Sequence, residues 1–213
     1  MYKTYIFDLD GTLLNTLNDL ASSTNYALQQ MGMPVRSIDE VRQFVGNGVR
    51  VLIEKAVPKG TPMDVTEQVL GIFRKHYLEH GLDTTQPYPG ITDVLRRLKE
   101  NGCNLAVVSN KFYAATQELC RTFFPDTIEI AIGEREDIRR KHAPDTVEEA
   151  LRQLGVGKEG AVYVGDSEVD LMTARNSGLP CISVLWGFRE RSFLESNGAT
   201  MYAKTPQELI DSF

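Results

Sequence analysis

The sequence predicts an α/β protein: a Rossmann-like parallel sheet core with an inserted helical cap domain. Two observations carry this. From Tyr88 onward, short apolar runs alternate with stretches of helical periodicity, and strands that are apolar throughout belong to parallel sheets covered on both faces by helices. Between residues 15 and 85 the periodicity is helical, with no convincing strand. The 213 residues suffice for one full core plus a smaller unit. The expected division is a core of residues 1–14 and 86–213 and an insert of residues 15–85.

The first strand is Tyr5-Ile6-Phe7, running into Asp8-Leu9-Asp10-Gly11-Thr12. Residues i and i+2 of an extended chain point to one side, so Asp8 and Asp10 leave the sheet together. Gly and Thr then supply a tight turn. Two adjacent carboxylates need a counter-charge, and Mg²⁺, with its preference for oxygen ligands, is the simplest. The structural alternative is an acidic turn closing a hairpin. In the insert, Leu17, Leu20, Ala21, Tyr26 and Leu28 predict a helix ending near Gly32, and Ser37-Ile38-Asp39-Glu40 opens a second. Val49, Leu52, Ile53 and Val57 share a face before Pro58, and Val65, Val69, Ile72, Phe73 and Tyr77 form a last helix. His76 and His80 lie at i and i+4 on it, a spacing that a surface helix explains as readily as a metal pair. Beyond the insert, helices at 91–100, 114–123, 146–154 and 171–176 alternate with strands at 104–108, 128–132, 161–164 and 181–185.

Open parallel sheets bind ligands at the carboxyl ends of their strands. The first strand ends in Asp8 and Asp10, the second in Ser109-Asn110-Lys111, and the penultimate in Gly165-Asp166-Ser167-Glu168-Val169-Asp170. Three polar clusters on one edge predict a site. Asp8, Asp10 and Asp166 are expected to hold one Mg²⁺, with Asp170 completing or steering the coordination. Ser109 and the amides after it fit an anion at a helix N-terminus, or a plain helix cap. Lys111 and Lys141, the latter within Arg139-Arg140-Lys141-His142-Ala143-Pro144-Asp145, offer positive charge to a phosphate, against the plainer reading of solvated basic residues.

A net charge of -6 argues against general nucleic-acid binding, and no apolar stretch approaches the length of a membrane span. The three cysteines, each in or beside an apolar segment, are expected as reduced buried thiols, and the start of the chain lacks a signal-peptide pattern. The expected setting is cytoplasmic, as a monomer or small homo-oligomer.

Phe-Asp-Leu-Asp-Gly-Thr-Leu from Phe7, Val-Val-Ser-Asn-Lys from Val107, Lys-His-Ala-Pro-Asp from Lys141 and Val-Gly-Asp-Ser-Glu-Val-Asp from Val164 stand in the order of, and resemble, the motifs of the haloacid dehalogenase-like superfamily of aspartyl-nucleophile phosphatases. The resemblance implies Asp8 as nucleophile and Asp10 as general acid and base. Ser109 and Lys141 would hold the phosphoryl oxygens, and Asp166 and Asp170 would bind Mg²⁺ together with Asp8 and the Asp10 carbonyl. Within that superfamily the likeness is nearest to the phosphoglycolate phosphatase group, which implies a small anionic phosphate ester as substrate and a mobile cap carrying a substrate-facing loop. Gly46, Asn47, Gly48 and Arg50 match that loop, and Thr12, Asn110 and Lys111 complete the expected substrate contacts. Asn15-Thr16 and His142 depart from the group's usual Asp-Ser and Pro. Other phosphate substrates (pyrophosphate, a sugar phosphate, a nucleotide), a phosphomutase and a non-catalytic binding module are the competing expectations.

Overall fold

The computed structural model describes residues 2–213. They fall into two compact units, residues 2–14 with 87–213, and residues 15–86. The chain opens with β1 (Thr4–Phe7) and the two-residue β2 (Leu14–Asn15). It passes through α1 (Leu17–Gln30), α2 (Ile38–Phe44), α3 (Gly48–Ala56) and α4 (Met63–His80), and returns at β3 (Gln86–Pro87), which pairs with β2. There follow α5 (Ile91–Glu100), β4 (Asn104–Phe112), α6 (Tyr113–Phe123), β5 (Ile130–Glu134), α7 (Asp145–Leu154) and β6 (Ala161–Gly165). The chain ends through α8 (Glu168–Ser177), β7 (Cys181–Val184), α9 (Arg191–Ser196), β8 (Met201–Ala203) and α10 (Glu208–Asp211).

The larger unit is a six-stranded sheet in the order β5-β4-β1-β6-β7-β8, with parallel pairing throughout. After β1 the chain builds outward on one side through β4 and β5, then crosses to the other side for β6, β7 and β8. Strand order reverses around β1, and such a reversal opens a crevice at the carboxyl ends. The register aligns Phe7 with Val107 on one side and Val164 on the other, so the residues just beyond these three positions share one edge.

Both sheet faces are buried because side chains alternate along each strand. Tyr5, Phe7, Leu105, Val107, Val162 and Val164 face a core completed by Ile91, Leu95 and Leu98 of α5. Ile6, Ala106, Val108 and Tyr163 face a second core with Val147 and Leu151 of α7 and Ala174 of α8. Hence β1 reads as an unbroken apolar run. β4 extends four residues past the expected 108, because Ser109, Asn110 and Lys111 are polar yet buried, at 3–4% exposure. Ser109 therefore lies within a strand and caps no helix; α6 begins at Tyr113. The elements α9, β8 and α10 have no counterpart in the periodicity reading, since runs of three to six residues are too short to show a period.

In the smaller unit, Leu20, Ala27 and Leu28 of α1 and Val69, Phe73 and Tyr77 of α4 are buried. Ser37 starts α2 with a reciprocal cap: its hydroxyl accepts from the Glu40 N–H at 3.2 Å, and its own N–H donates to Glu40 Oε2 at 2.8 Å. The buried Asp19 carboxylate accepts from the amides and hydroxyls of Thr84 and Thr85 at 2.6–3.1 Å, tying the first turn of α1 to the segment that leaves the unit. His76 stacks between Tyr26 (4.0 Å) and His80 (4.3 Å) and meets Ser23 Oγ at 3.0 Å, so the histidine pair is engaged in packing.

Candidate active site

Asp8 continues β1 by one residue, its N–H donating to the Val164 carbonyl at 2.9 Å. The chain then turns tightly, with the N–H groups of Leu13 and Leu14 both donating to the Leu9 carbonyl at 3.0 Å. Gly11 adopts φ +91° within this turn, a conformation that favours glycine. A Cβ there would lie 2.4 Å from Asp166 Oδ2. The turn therefore closes only with a glycine, and closing it brings Gly11 against Asp166 at the end of β6.

Three carboxylates converge: one oxygen each from Asp8, Asp166 and Asp170 lies within 4.8 Å of the others, the only such group among the described residues. All three are buried. Between two of them lies the Lys141 ammonium, donating to Asp8 Oδ1 at 2.6 Å and Asp170 Oδ1 at 2.7 Å. Its third N–H goes to the Tyr163 hydroxyl at 2.9 Å, and that hydroxyl donates to Asp170 Oδ1 at 3.1 Å. An ammonium carries three donors, so these partners use all of them. The other Asp170 oxygen accepts from the Ser167 hydroxyl at 2.7 Å and amide at 3.1 Å, capping α8. Asp170 is thus a helix-capping group and a member of the cluster at once.

Electrostatics follow from burial. Desolvation pushes Asp8 well above the ordinary carboxylate range; Lys141 opposes this, and Asp170 and Asp166 add to it. Desolvation alone would lower Lys141, but Asp170 and Asp8 outweigh it and hold the ammonium well above the usual lysine value. Burial, and then the Asp170 charge, push Asp166 up to about 7, although the Phe188 N–H donates to its Oδ2 at 2.7 Å. Three buried carboxylates facing one ammonium leave an excess of negative charge. A divalent cation with hard oxygen preference fits that donor set.

The outer members are also placed. The Lys111 ammonium, 4% exposed, donates to both Asp10 oxygens at 2.9 and 3.0 Å. It is a buried ion-pair partner, in contrast to the solvated alternative. The Asp10 carboxylate stands apart from the three-carboxylate group. Ser109 Oγ accepts from the Lys111 N–H at 3.2 Å, and Asn110 Nδ2 donates to the Lys141 carbonyl at 3.1 Å, joining the end of β4 to the segment before α7. Thr12 Oγ1 donates to Asp166 Oδ1 at 3.3 Å, and the Thr12 carbonyl accepts from Trp186 Nε1 at 2.9 Å.

Within the smaller unit, Gly46 (φ 121°) and Gly48 (φ 82°) flank Asn47, which precedes α3. Arg50 of α3 is held by Glu67 of α4, Nη2 to Oε2 at 3.2 Å, with a second contact between Nη1 and Oε1.

Sequence reasoning missed Tyr163, and it gave Gly187 no site role, placing it only within Val184 to Phe188, a stretch that resembles the phosphoglycolate phosphatase group. Tyr163 sits in an apolar run and reads there as core. A Cβ at Gly187 would lie 2.3 Å from Asp166 Cβ and 2.5 Å from the Gly11 carbonyl.

Residues 5–184 match the family model of haloacid dehalogenase-like hydrolases. The chain belongs to that family. The hydrolase is 33% identical over 187 residues to a phosphoglycolate phosphatase of Aquifex aeolicus, covering 87% of this chain and 86% of the other. It is 35% identical over 205 residues to a phosphoglycolate phosphatase of Caulobacter vibrioides, covering 93% and 85%. The hydrolase also superposes on a crystal structure from Lactobacillus delbrueckii subsp. bulgaricus with TM-score 0.93 and 38% identity, covering 98% and 96% of the two chains.

Proposed function

We propose that this phosphoric monoester hydrolase cleaves a small phosphate monoester through an aspartyl-phosphate on Asp8, with 2-phosphoglycolate as its substrate. The observation that carries this reading is the Asp8 carboxylate at a strand end, 2.6 Å from a buried ammonium and grouped with two further carboxylates. The phosphoglycolate phosphatases among its relatives support the substrate.

Asp8, Asp166 and Asp170 would hold Mg²⁺, which supplies charge neutralisation for an anionic phosphate approaching an anionic nucleophile. The chain's own groups do the rest. An Asp8 oxygen forms the new bond to phosphorus while the bond to the leaving oxygen breaks, and Asp10 delivers a proton to that oxygen. The Ser109 hydroxyl holds a phosphoryl oxygen, and Lys141, its donors engaged by Asp8, Asp170 and Tyr163, sets its positive charge beside the phosphoryl group, roles that rest on positioned groups in a buried site. In the second half, water attacks phosphorus, its proton passes to Asp10, and the Asp8–phosphorus bond breaks to release phosphate and the starting carboxylate. Lys111, 2.9 Å from Asp10, positions that carboxylate for both transfers.

The test is phosphate release from a panel of phosphate esters and pyrophosphate, with Mg²⁺ and with chelator, for the wild type and Asp8→Asn. Mg²⁺-dependent preference for phosphoglycolate, lost in the variant, is the expected result. Preference for another ester moves the substrate and leaves the chemistry. Release that survives in Asp8→Asn would overturn the nucleophile assignment.

A further inference from the structure

We propose that Tyr163 is a positioning residue for Lys141, holding the ammonium against the Asp8 carboxylate that attacks phosphorus; this rests on the hydrolytic reading above. Tyr163 is fully buried in β6, on the sheet face that packs Ile6, Ala106, Val108 and Val147. Packing alone asks only for an apolar residue of that size. The hydroxyl adds a polar atom to an apolar layer, a cost unless it is hydrogen-bonded. It is bonded on both sides, accepting from Lys141 at 2.9 Å and donating to Asp170 Oδ1 at 3.1 Å.

Geometry gives those bonds a direction. Lys141 Nζ, Tyr163 Oη and Asp170 Oδ1 form a closed triangle with sides of 2.9, 3.1 and 2.7 Å. Two of the three ammonium protons are anchored on that triangle. The third acceptor is Asp8 Oδ1 at 2.6 Å, an oxygen of the carboxylate assigned to attack phosphorus. Of the three acceptors around Lys141, Asp8 and Asp170 are the carboxylates assigned to the cation as well. Tyr163 is the neutral one: it accepts from the ammonium and donates to Asp170, and is not itself assigned to the cation. The Lys141 nitrogen also lies 5.6 Å from the centre of the Tyr163 ring. Phenylalanine would keep that ring contact and the packing, and remove only the hydroxyl.

The experiment compares wild type and Tyr163→Phe by steady-state phosphate release from 2-phosphoglycolate and p-nitrophenyl phosphate across a Mg²⁺ titration. The expected result is a fall in kcat of about ten- to a hundredfold, the scale of a misplaced reacting group, with KM and the half-saturating Mg²⁺ concentration within about twofold of wild type. In a Lys141→Gln background, Tyr163→Phe should cause no further loss, because residues acting through one another are not additive. A kcat unchanged by Tyr163→Phe, a loss recovered by added Mg²⁺, or a full further loss in the Lys141→Gln background would each overturn the proposal.

If either variant fails to fold, ¹⁵N-lysine labelling of the wild type decides. A slowly exchanging Lys141 ammonium signal with proton contacts to the Tyr163 ring supports the triangle, and a freely exchanging ammonium overturns it. Failure of the hydrolytic reading is distinct: the wild type itself would then release no phosphate, and both proposals would fall together.

Discussion

At the scale of single residues, close approach governs the site more than charge does. Gly187 leaves no room for a side chain, since a Cβ would sit 2.3 Å from Asp166 Cβ and 2.5 Å from the backbone oxygen of Gly11. Gly187→Ala should push Asp166 away from Asp8, cutting kcat/KM by more than tenfold and stability by about 1–3 kcal/mol; turnover assays and urea denaturation check both. Tyr5 makes a different demand. Burial, aided by the nearby Cys103 and Tyr2, pushes its phenol from 10.0 up to about 12. Its folded value is above its unfolded one, so its contribution is fully present below pH 10 and is lost as pH rises from 10 through 12. Thermal melts of Tyr5→Phe should therefore decline less steeply over that window than those of the wild type; parallel curves would count against it. Neither position announces itself in the sequence, whereas Asp8, Asp10, Lys141, Asp166 and Asp170 do. A carboxylate or lysine at a strand end is conspicuous by type. A glycine matters only through what lies opposite it, and Tyr163 is hidden by the apolar strand it shares.

Among the elements, helix entry and exit points carry most of the information. The Asp19 carboxylate receives five hydrogen bonds from Thr84 and Thr85, which closes the smaller unit between α1 and the chain leaving it. Asp19→Ala would leave the buried amide and hydroxyl of Thr85, and the part-buried ones of Thr84, without their acceptor, an expected loss of roughly 1–3 kcal/mol. Limited proteolysis should then cut first near residues 84–87, and resistance equal to wild type would refute the role. The helices themselves were legible: α5 spans the expected Ile91–Glu100, and α2 starts at Ile38 with Ser37 as its cap. Element ends were less so. β4 runs on to Phe112 because Lys111 and Asp10 neutralise each other inside the fold, a long-range pairing that no local pattern reveals.

For the whole molecule, the two units differ in what they need. Both sheet cores are drawn from the larger unit alone, and β2 pairs with β3, so the chain leaves and re-enters that unit side by side. Replacing residues 15–86 with a short Gly/Ser link should leave a core that unfolds cooperatively, as circular dichroism melts would show; loss of the melting transition would argue that the core depends on the insert. By itself, the sequence determined the alternation of strands and helices, the helical insert and the acidic and basic residues at the strand ends, because these follow from local periodicity and residue chemistry. Tertiary structure alone decided the strand order around β1, the pairing of Lys141 with Asp8, Asp170 and Tyr163, and the glycine contacts behind Asp166. Those depend on residues from separate elements, 133 positions apart for Lys141 and Asp8, meeting in one buried volume, where desolvation turns each charge into a demand for a partner.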